Sequence, residues 1–261
     1  MLKLSNKFII IIPTFNVEDY IVECLESILS QDLDDVGIII RDDISTDKTK
    51  NVIKNFLKIS KNIEKIKYNS KDILYIENSK KLYPCGNTYE SVINYVENDN
   101  SIIGVVDGDD KLLDTSALTK IYNLYQDGKY WLIWSQHKCA TGKPGFSKNL
   151  PSDEQIYFNR NYWSVSHFRT SVAKLYKKLN SNDLKDPFIE DSYFSYCGDA
   201  AFLFPFIEMC GNEKSFFLNE ILYQYNDNLP NNEHNKNVKE AVRYGNYIRN
   251  IQRKYTKKVE L

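Results

Sequence analysis

Ile102-Ile103-Gly104-Val105-Val106-Asp107-Gly108-Asp109-Asp110 is a short apolar strand, interrupted by Gly104, that runs straight into three carboxylates. Open α/β sheets bind their ligands in the crevice outside the carboxyl ends of the strands, so acidic groups at such an end mark a site. Gly108 lets the backbone turn, which allows two acidic side chains to converge on one point. Crowded carboxylates repel one another unless a cation offsets them, and a hard divalent ion such as Mg2+ or Mn2+ is the natural partner. An ion held by only one or two protein carboxylates keeps open positions that suit diphosphate oxygens. Taken alone, the stretch also reads as a solvated polar turn.

Upstream of this turn the pattern is regular. Phe8-Ile9-Ile10-Ile11-Ile12 is a continuous apolar run closed by Pro13 and reads as a buried parallel strand. Ile21, Cys24, Leu25, Ile28 and Leu29 form the apolar stripe of a helix after Asn16. A second strand, Val36 to Ile40, ends at Asp42-Asp43, and Ser45-Thr46-Asp47 opens a helix through Val52, Ile53, Phe56 and Leu57, with Ser or Asp as its cap. Ile73 to Ile76 reads as a third strand and Asn87 to Val96 as a helix. Strands alternating with helices in this way predict a mostly parallel, doubly wound sheet flanked by helices.

Downstream the expectations are a helix over Leu112 to Tyr125, a strand over Tyr130 to Trp134 and a loop over Thr141 to Ser152. A helix over Gly198 to Met209 is expected to be interrupted or kinked at Pro205. Asn226 to Asn237, rich in Asn, reads as a mobile loop or lid, and the stretch from Val238 as helical. No repeat or linker divides the chain, so residues 1–261 are expected to form a single domain. Within that domain the pattern changes at about residue 110, which separates a first half from a second.

Composition narrows the function classes. The 261 residues, 42% hydrophobic and 26% charged, suffice for a full core, and a net charge of -1 without blocks of like charge argues against a nucleic-acid partner. The five cysteines lack CxxC spacing and read as reduced thiols of a cytoplasmic protein. The Phe8 to Ile12 run is far too short to span a membrane. No GxGxxG follows a strand, which disfavours a Rossmann oxidoreductase. Pro13-Thr14-Phe15-Asn16 is not the Gly-rich basic loop of a sugar nucleotidyltransferase.

Three ordered motifs, each at a strand end, resemble the signature of family-two glycosyltransferases, which have the GT-A fold: Pro13-Thr14-Phe15-Asn16, Asp42-Asp43-Ile44-Ser45-Thr46-Asp47 and Asp107-Gly108-Asp109-Asp110. The resemblance continues through Ser166-His167-Phe168-Arg169-Thr170, Gly198-Asp199-Ala200-Ala201-Phe202-Leu203-Phe204-Pro205, Leu222-Tyr223-Gln224-Tyr225-Asn226 and Asn232-Glu233-His234. It implies an inverting transfer of a hexose-type sugar from a nucleoside diphosphate sugar, UDP-linked by preference. The acceptor would be a hydroxyl on a glycan, lipid or protein, with Mn2+ or Mg2+ as cofactor.

The resemblance also implies roles. Pro13, Thr14, Phe15, Asn16, Asp43, Asp107, Gly108, Asp110 and Arg169 would bind the nucleotide sugar. Phe15 would pack on the base, and Asp43 would bond a uracil imide or, alternatively, serve a helix-proximal turn. Asp109 would ligate the metal directly, Asp107 would contact ribose or metal-bound water, and Asp110 would bind sugar or metal. His234 stands as a further metal ligand or as a surface histidine. His167 and Trp163 fall on the acceptor side, Trp163 otherwise being a core residue, and Arg169 suits phosphate oxygens or a buried carboxylate. Asp199 is the implied base for the attacking hydroxyl, with helix N-cap as its other role.

Some residues depart from the family pattern. Ile44 stands where the family usually has glycine, Asp186 to Glu190 replaces a more glycine-rich turn, and Tyr83-Pro84-Cys85-Gly86-Asn87 lacks an arginine that many members carry. A binding module that kept the fold and lost turnover is the other reading.

Overall fold

The apolar N-terminal run becomes β1 (Phe8–Thr14), and every one of its residues is buried. A strand that is apolar on both faces needs cover on both faces, and the sheet around it supplies that. The computed structural model describes residues 2–228 and 237–255. Within them the other strands are β2 (Val36–Asp42), β3 (Ile63–Tyr68), β4 (Lys71–Glu77), β5 (Ile102–Val105), β6 (Lys111–Leu112), β7 (Leu132–Cys139), β8 (Arg169–Val172) and β9 (Ser215–Tyr225). They form one sheet in the order β3-β4-β2-β1-β5-β8-β7-β9-β6. The helices are α1 (Ile21–Leu29), α2 (Thr49–Leu57), α3 (Tyr83–Tyr95), α4 (Ala117–Tyr125), α5 (Asp153–Phe158), α6 (Ala173–Lys178), α7 (Gly198–Cys210) and α8 (Val238–Asn250). No helix among the described residues is long and apolar enough to cross a membrane.

The first half matches the expected winding. β1 pairs in parallel with both β2 and β5, and β2 pairs in parallel with β4. Chain order therefore reverses at β1, which opens the crevice where such sheets bind ligands. β3 escapes the sequence reading because Lys65 and Lys67 on its exposed face mask the alternation, as is common for edge strands. It joins β4 antiparallel through Asn69 and Ser70, whose φ of 46° and 64° give the left-handed turn that tight hairpins use.

The second half is mixed. β8 runs antiparallel between β5 and β7, and β9 lies parallel to β7 with a register shift. The expected helix from Leu112 begins only at Ala117, because Lys111 and Leu112 pair with Gln224 and Tyr223 of β9. The strand expected at Tyr130 to Trp134 runs instead from Leu132 to Cys139. Helix α7 continues through Pro205 as one element, so of the interruption or kink expected there the interruption does not occur. Proline leaves the carbonyl four residues earlier without its helical partner, and here Gln252 Nε2 donates to Ala201 O at 2.7 Å in its place.

Gln252 also accepts from Arg160, whose guanidinium pairs with Glu208 of α7 through Nε at 2.7 Å and NH2 at 2.8 Å. These buried groups tie the C-terminal segment to α7. Replacing Gln252 with Leu strands Ala201 O and an Arg160 N–H. Denaturant unfolding is expected to show a loss of about 2–4 kcal/mol, the cost of buried polar groups left unpaired. A loss under about 0.5 kcal/mol would refute the clamp.

Candidate active site

The ends of β1, β2 and β5 meet at the reversal. Asp43 N donates to Thr14 O at 2.8 Å, and Gly108 N donates to Pro13 O at 3.1 Å, so the three turns share backbone bonds. A Cβ at Gly108 would lie 2.8 Å from Thr14 Cγ2, which is why the acidic turn has glycine there. Asn16, at φ 54°, accepts Thr46 N on Oδ1 at 2.8 Å, and its own N–H donates to Ser45 Oγ at 3.0 Å. It thus staples the β1 turn to the β2 turn. Ile44 takes φ 64°, a left-handed conformation that a β-branched side chain occupies only under strain.

Asp43 is buried and accepts on both oxygens: Oδ1 from Leu82 N and Asn78 Nδ2, both at 2.8 Å, and Oδ2 from Tyr83 N at 2.9 Å. It therefore caps α3, which begins four residues before the expected start. Phe15 is 47% exposed, and Lys81 Nζ lies 2.9 Å from its ring centroid and 3.3 Å from Asp43 Oδ2.

The acidic turn is built from two directions. Tyr223 on β9 donates its hydroxyl to Asp110 Oδ2 at 2.7 Å and accepts Asp107 N–H at 3.2 Å. Asn226 N donates to Asp110 Oδ1 at 2.7 Å. His167 stacks on Tyr223 and Tyr225 and places Nε2 3.7 Å from Asp107 Oδ2. Asp107, Asp110 and His167 each offer a ligand atom, and the three atoms lie within 4.8 Å of one another. Two hard carboxylates and one imidazole suit Mn2+ or Mg2+. Asp109 lies outside that trio, and His167, read from sequence as an acceptor-side residue, stands within it.

Electrostatics follows from this crowding. Burial, and then the Asp107 charge, push Asp109 up to about 7. Burial and then the Asp109 and Asp107 charges raise Asp110 as well, well above the usual carboxylate range. Burial opposes ionisation of Asp107, but its His167 bond and the Arg169 charge outweigh that and hold it low. Burial and Arg169 lower His167, which keeps the imidazole in its neutral, metal-binding form.

Arg169, the first residue of β8, places NH1 3.4 Å from Asp199 Oδ2. Asp199 Oδ1 also accepts Ala200 N at 2.8 Å, but the residue lies inside the first turn of α7, whose N-cap is Cys197 with no side-chain cap bond, so the capping alternative is not what the structure shows; its side chain is about a third exposed. The buried Arg169 Nε has no hydrogen-bond partner. Trp163 packs against Phe204 of α7. His234 lies outside the described residues.

Sequence reasoning missed Tyr223, which joins the Asp110 carboxylate to the Asp107 N–H, and it missed Lys81 and His137. The Leu222–Asn226 motif was the available signal for Tyr223. His137 is buried edge-on to His167 and pushed down to about 4 by burial, then by the charges of His167 and Arg169. Only β7–β8 pairing brings it there.

Residues 9–183 match the family model for Glycosyl transferase family 2. A Campylobacter jejuni relative, GalNAc(5)-diNAcBac-PP-undecaprenol beta-1,3-glucosyltransferase, is 28% identical over 178 residues, 66% of this chain and 52% of its own length. The chain thus spans about half the length of that curated relative. Staphylococcus aureus TarS 1-349 in complex with UDP superposes with a TM-score of 0.57 at 18% identity, covering 84% of this chain and 60% of that one. Glucosyl-3-phosphoglycerate synthase from Mycobacterium tuberculosis, in complex with Mn2+, UDP-glucose and phosphoglyceric acid, gives 0.57 at 15% identity, covering 93% and 79%. These structures share the fold, a GT-A sheet flanked by helices.

Protons and a divalent ion compete for the raised carboxylates. Mn2+ affinity, measured by titration calorimetry, is expected to rise with pH through about 7 and to be about tenfold weaker at pH 6 than at pH 8. A flat profile over that range would refute the competition. Tyr223→Phe is expected to weaken Mn2+ binding at constant pH and to cost about 1–3 kcal/mol of stability, since it leaves Asp107 N–H and an Asp110 oxygen unpaired. Unchanged binding would show that the hydroxyl does not order the turn.

Proposed function

The chain belongs to glycosyl transferase family 2, and on that premise we propose that it transfers a hexose-type sugar from a UDP-linked donor to a hydroxyl, with inversion. The observation that carries this is the Arg169–Asp199 pair, which ties the only acid of the α7 start to the acidic turn at the β5 end. UDP and UDP-glucose in the structures that this chain resembles support the choice of donor. In this reading Pro13, Thr14, Phe15 and Asn16 form the base and ribose wall, and Asp43 accepts from the uracil imide. Asp107, Asp109 and Asp110 hold the ion and the donor, with His167 and His234 as further ligand candidates.

When bound, the divalent ion supplies Lewis-acid stabilisation of the departing diphosphate. The chain's own groups do the rest. Arg169 Nε, buried and unpartnered, is a preorganised donor for a phosphate oxygen. Asp199 takes the proton of the attacking hydroxyl, and its pairing with Arg169 orients the carboxylate before the acceptor arrives. Trp163 contributes to the acceptor side. The cysteine pattern, without CxxC spacing, supports a cytoplasmic location.

Release of UDP from a panel of UDP-sugars, with and without Mn2+, tests the proposal. Metal-dependent release is expected, and its absence across the panel would leave a binding module. Asp109→Asn is expected to abolish release and to weaken metal-dependent nucleotide binding. Asp199→Asn should keep UDP affinity while turnover falls by about 10²–10⁴. Turnover at the parent rate would remove Asp199 as the base.

A further inference from the structure

The Phe15 face is already occupied. Lys81 sits in the segment between β4 and α3, with Nζ 2.9 Å from the Phe15 centroid, 3.3 Å from Asp43 Oδ2 and within hydrogen-bond distance of Asp43 O at 3.2 Å. A carboxylate offers about four lone-pair directions. At Asp43 three are taken by Leu82 N, Asn78 Nδ2 and Tyr83 N, and Lys81 lies against the fourth. A heterocycle stacked on Phe15 therefore cannot reach Asp43 until the ammonium slides aside. The Lys81 side chain is about a third exposed and flexible, while its bond to the Asp43 carbonyl keeps it at the rim.

Once it has moved, the platform has one acceptor, on Asp43, directly beside one donor, on Lys81. That pair complements a ring edge in which N–H neighbours C=O. Uracil presents this edge at N3–H and its flanking oxygens. Cytosine presents an acceptor nitrogen beside an amino group, which reverses both contacts and sets a lone pair against the carboxylate. Adenine shows the same reversal.

We propose that Lys81 is a specificity-determining residue that reads, together with Asp43, the N–H/C=O edge of the base stacked on Phe15. This rests on the nucleotide-sugar reading and adds to it the group that selects the base. Neither residue carries the discrimination alone, because the chain's own donors take three of the four lone-pair directions of Asp43 and leave a single one for the base.

Calorimetric titration of UDP and CDP in the presence of Mn2+ tests the proposal, since the two differ only at the base edge. The parent is expected to prefer UDP by about a hundredfold or more, as sites that hydrogen-bond a substrate reject analogues that reverse the pattern. Lys81→Met should narrow that ratio by about tenfold, chiefly through weaker UDP binding, in line with the loss of one charge-assisted bond. Lys81→Arg, which keeps a cationic donor, should hold the ratio within about threefold of the parent. If Lys81→Met keeps the parent ratio, or binds both nucleotides more tightly by the same factor, Lys81 merely covers the ring and the proposal falls. If the parent binds UDP and CDP equally, the edge is not read. If the parent binds neither, the nucleotide-sugar reading falls with it.

Discussion

Like charges gathered at one strand end are the constraint from which the rest of this site follows. Asp107, Asp109 and Asp110 fall within four consecutive positions just beyond β5, and folding removes them from water together. The chain manages the repulsion with neutral donors rather than with a full set of counter-charges. Tyr223 O–H and Asn226 N–H satisfy Asp110, and only Asp107 faces a cation, Arg169. Two acids are thereby left with raised affinity for protons, and equally for a divalent ion. A turn that is costly without a cation and relieved with one is well disposed to bind it.

The second organising element is the double duty of the β1 and β2 turns. Asn16 and Asp43 carry the geometry of structural brackets, one stapling turn to turn and the other capping α3. Such bracketing fixes where Phe15 presents its face and where any remaining lone pair of Asp43 points. Ile44, held left-handed beside Asp43, shows that the turn keeps its shape even against a β-branched side chain's preference.

The far half of the molecule positions Asp199. Helix α7 is anchored by the buried Glu208–Arg160 pair and by Gln252, which replaces the hydrogen bond that Pro205 forfeits. Breaking a buried ion pair by removing one partner is strongly destabilising, so the helix that carries Asp199 is held firmly behind its solvent-facing first turn. β8 then delivers Arg169 across the sheet to that turn, and this joins the two halves electrostatically.

Local pattern was enough for the first half. The apolar run Phe8 to Ile12, the stripe Ile21 to Leu29 and the acid-terminated strands at Asp43 and Asp107 read directly as a wound parallel sheet with its site at the strand ends, because periodicity and strand-end chemistry are properties of neighbouring residues. The same motifs identified the family. Strands β8 and β9 were not legible, since β8 has only four residues and β9 mixes exposed and buried positions without strict alternation. Only their long-range pairing decided that Tyr223 would bind the acidic turn, that His167 would stand beside Asp107, and that Arg169 would meet Asp199. Those contacts join residues dozens of positions apart, and no local pattern encodes which distant side chain will satisfy a buried charge.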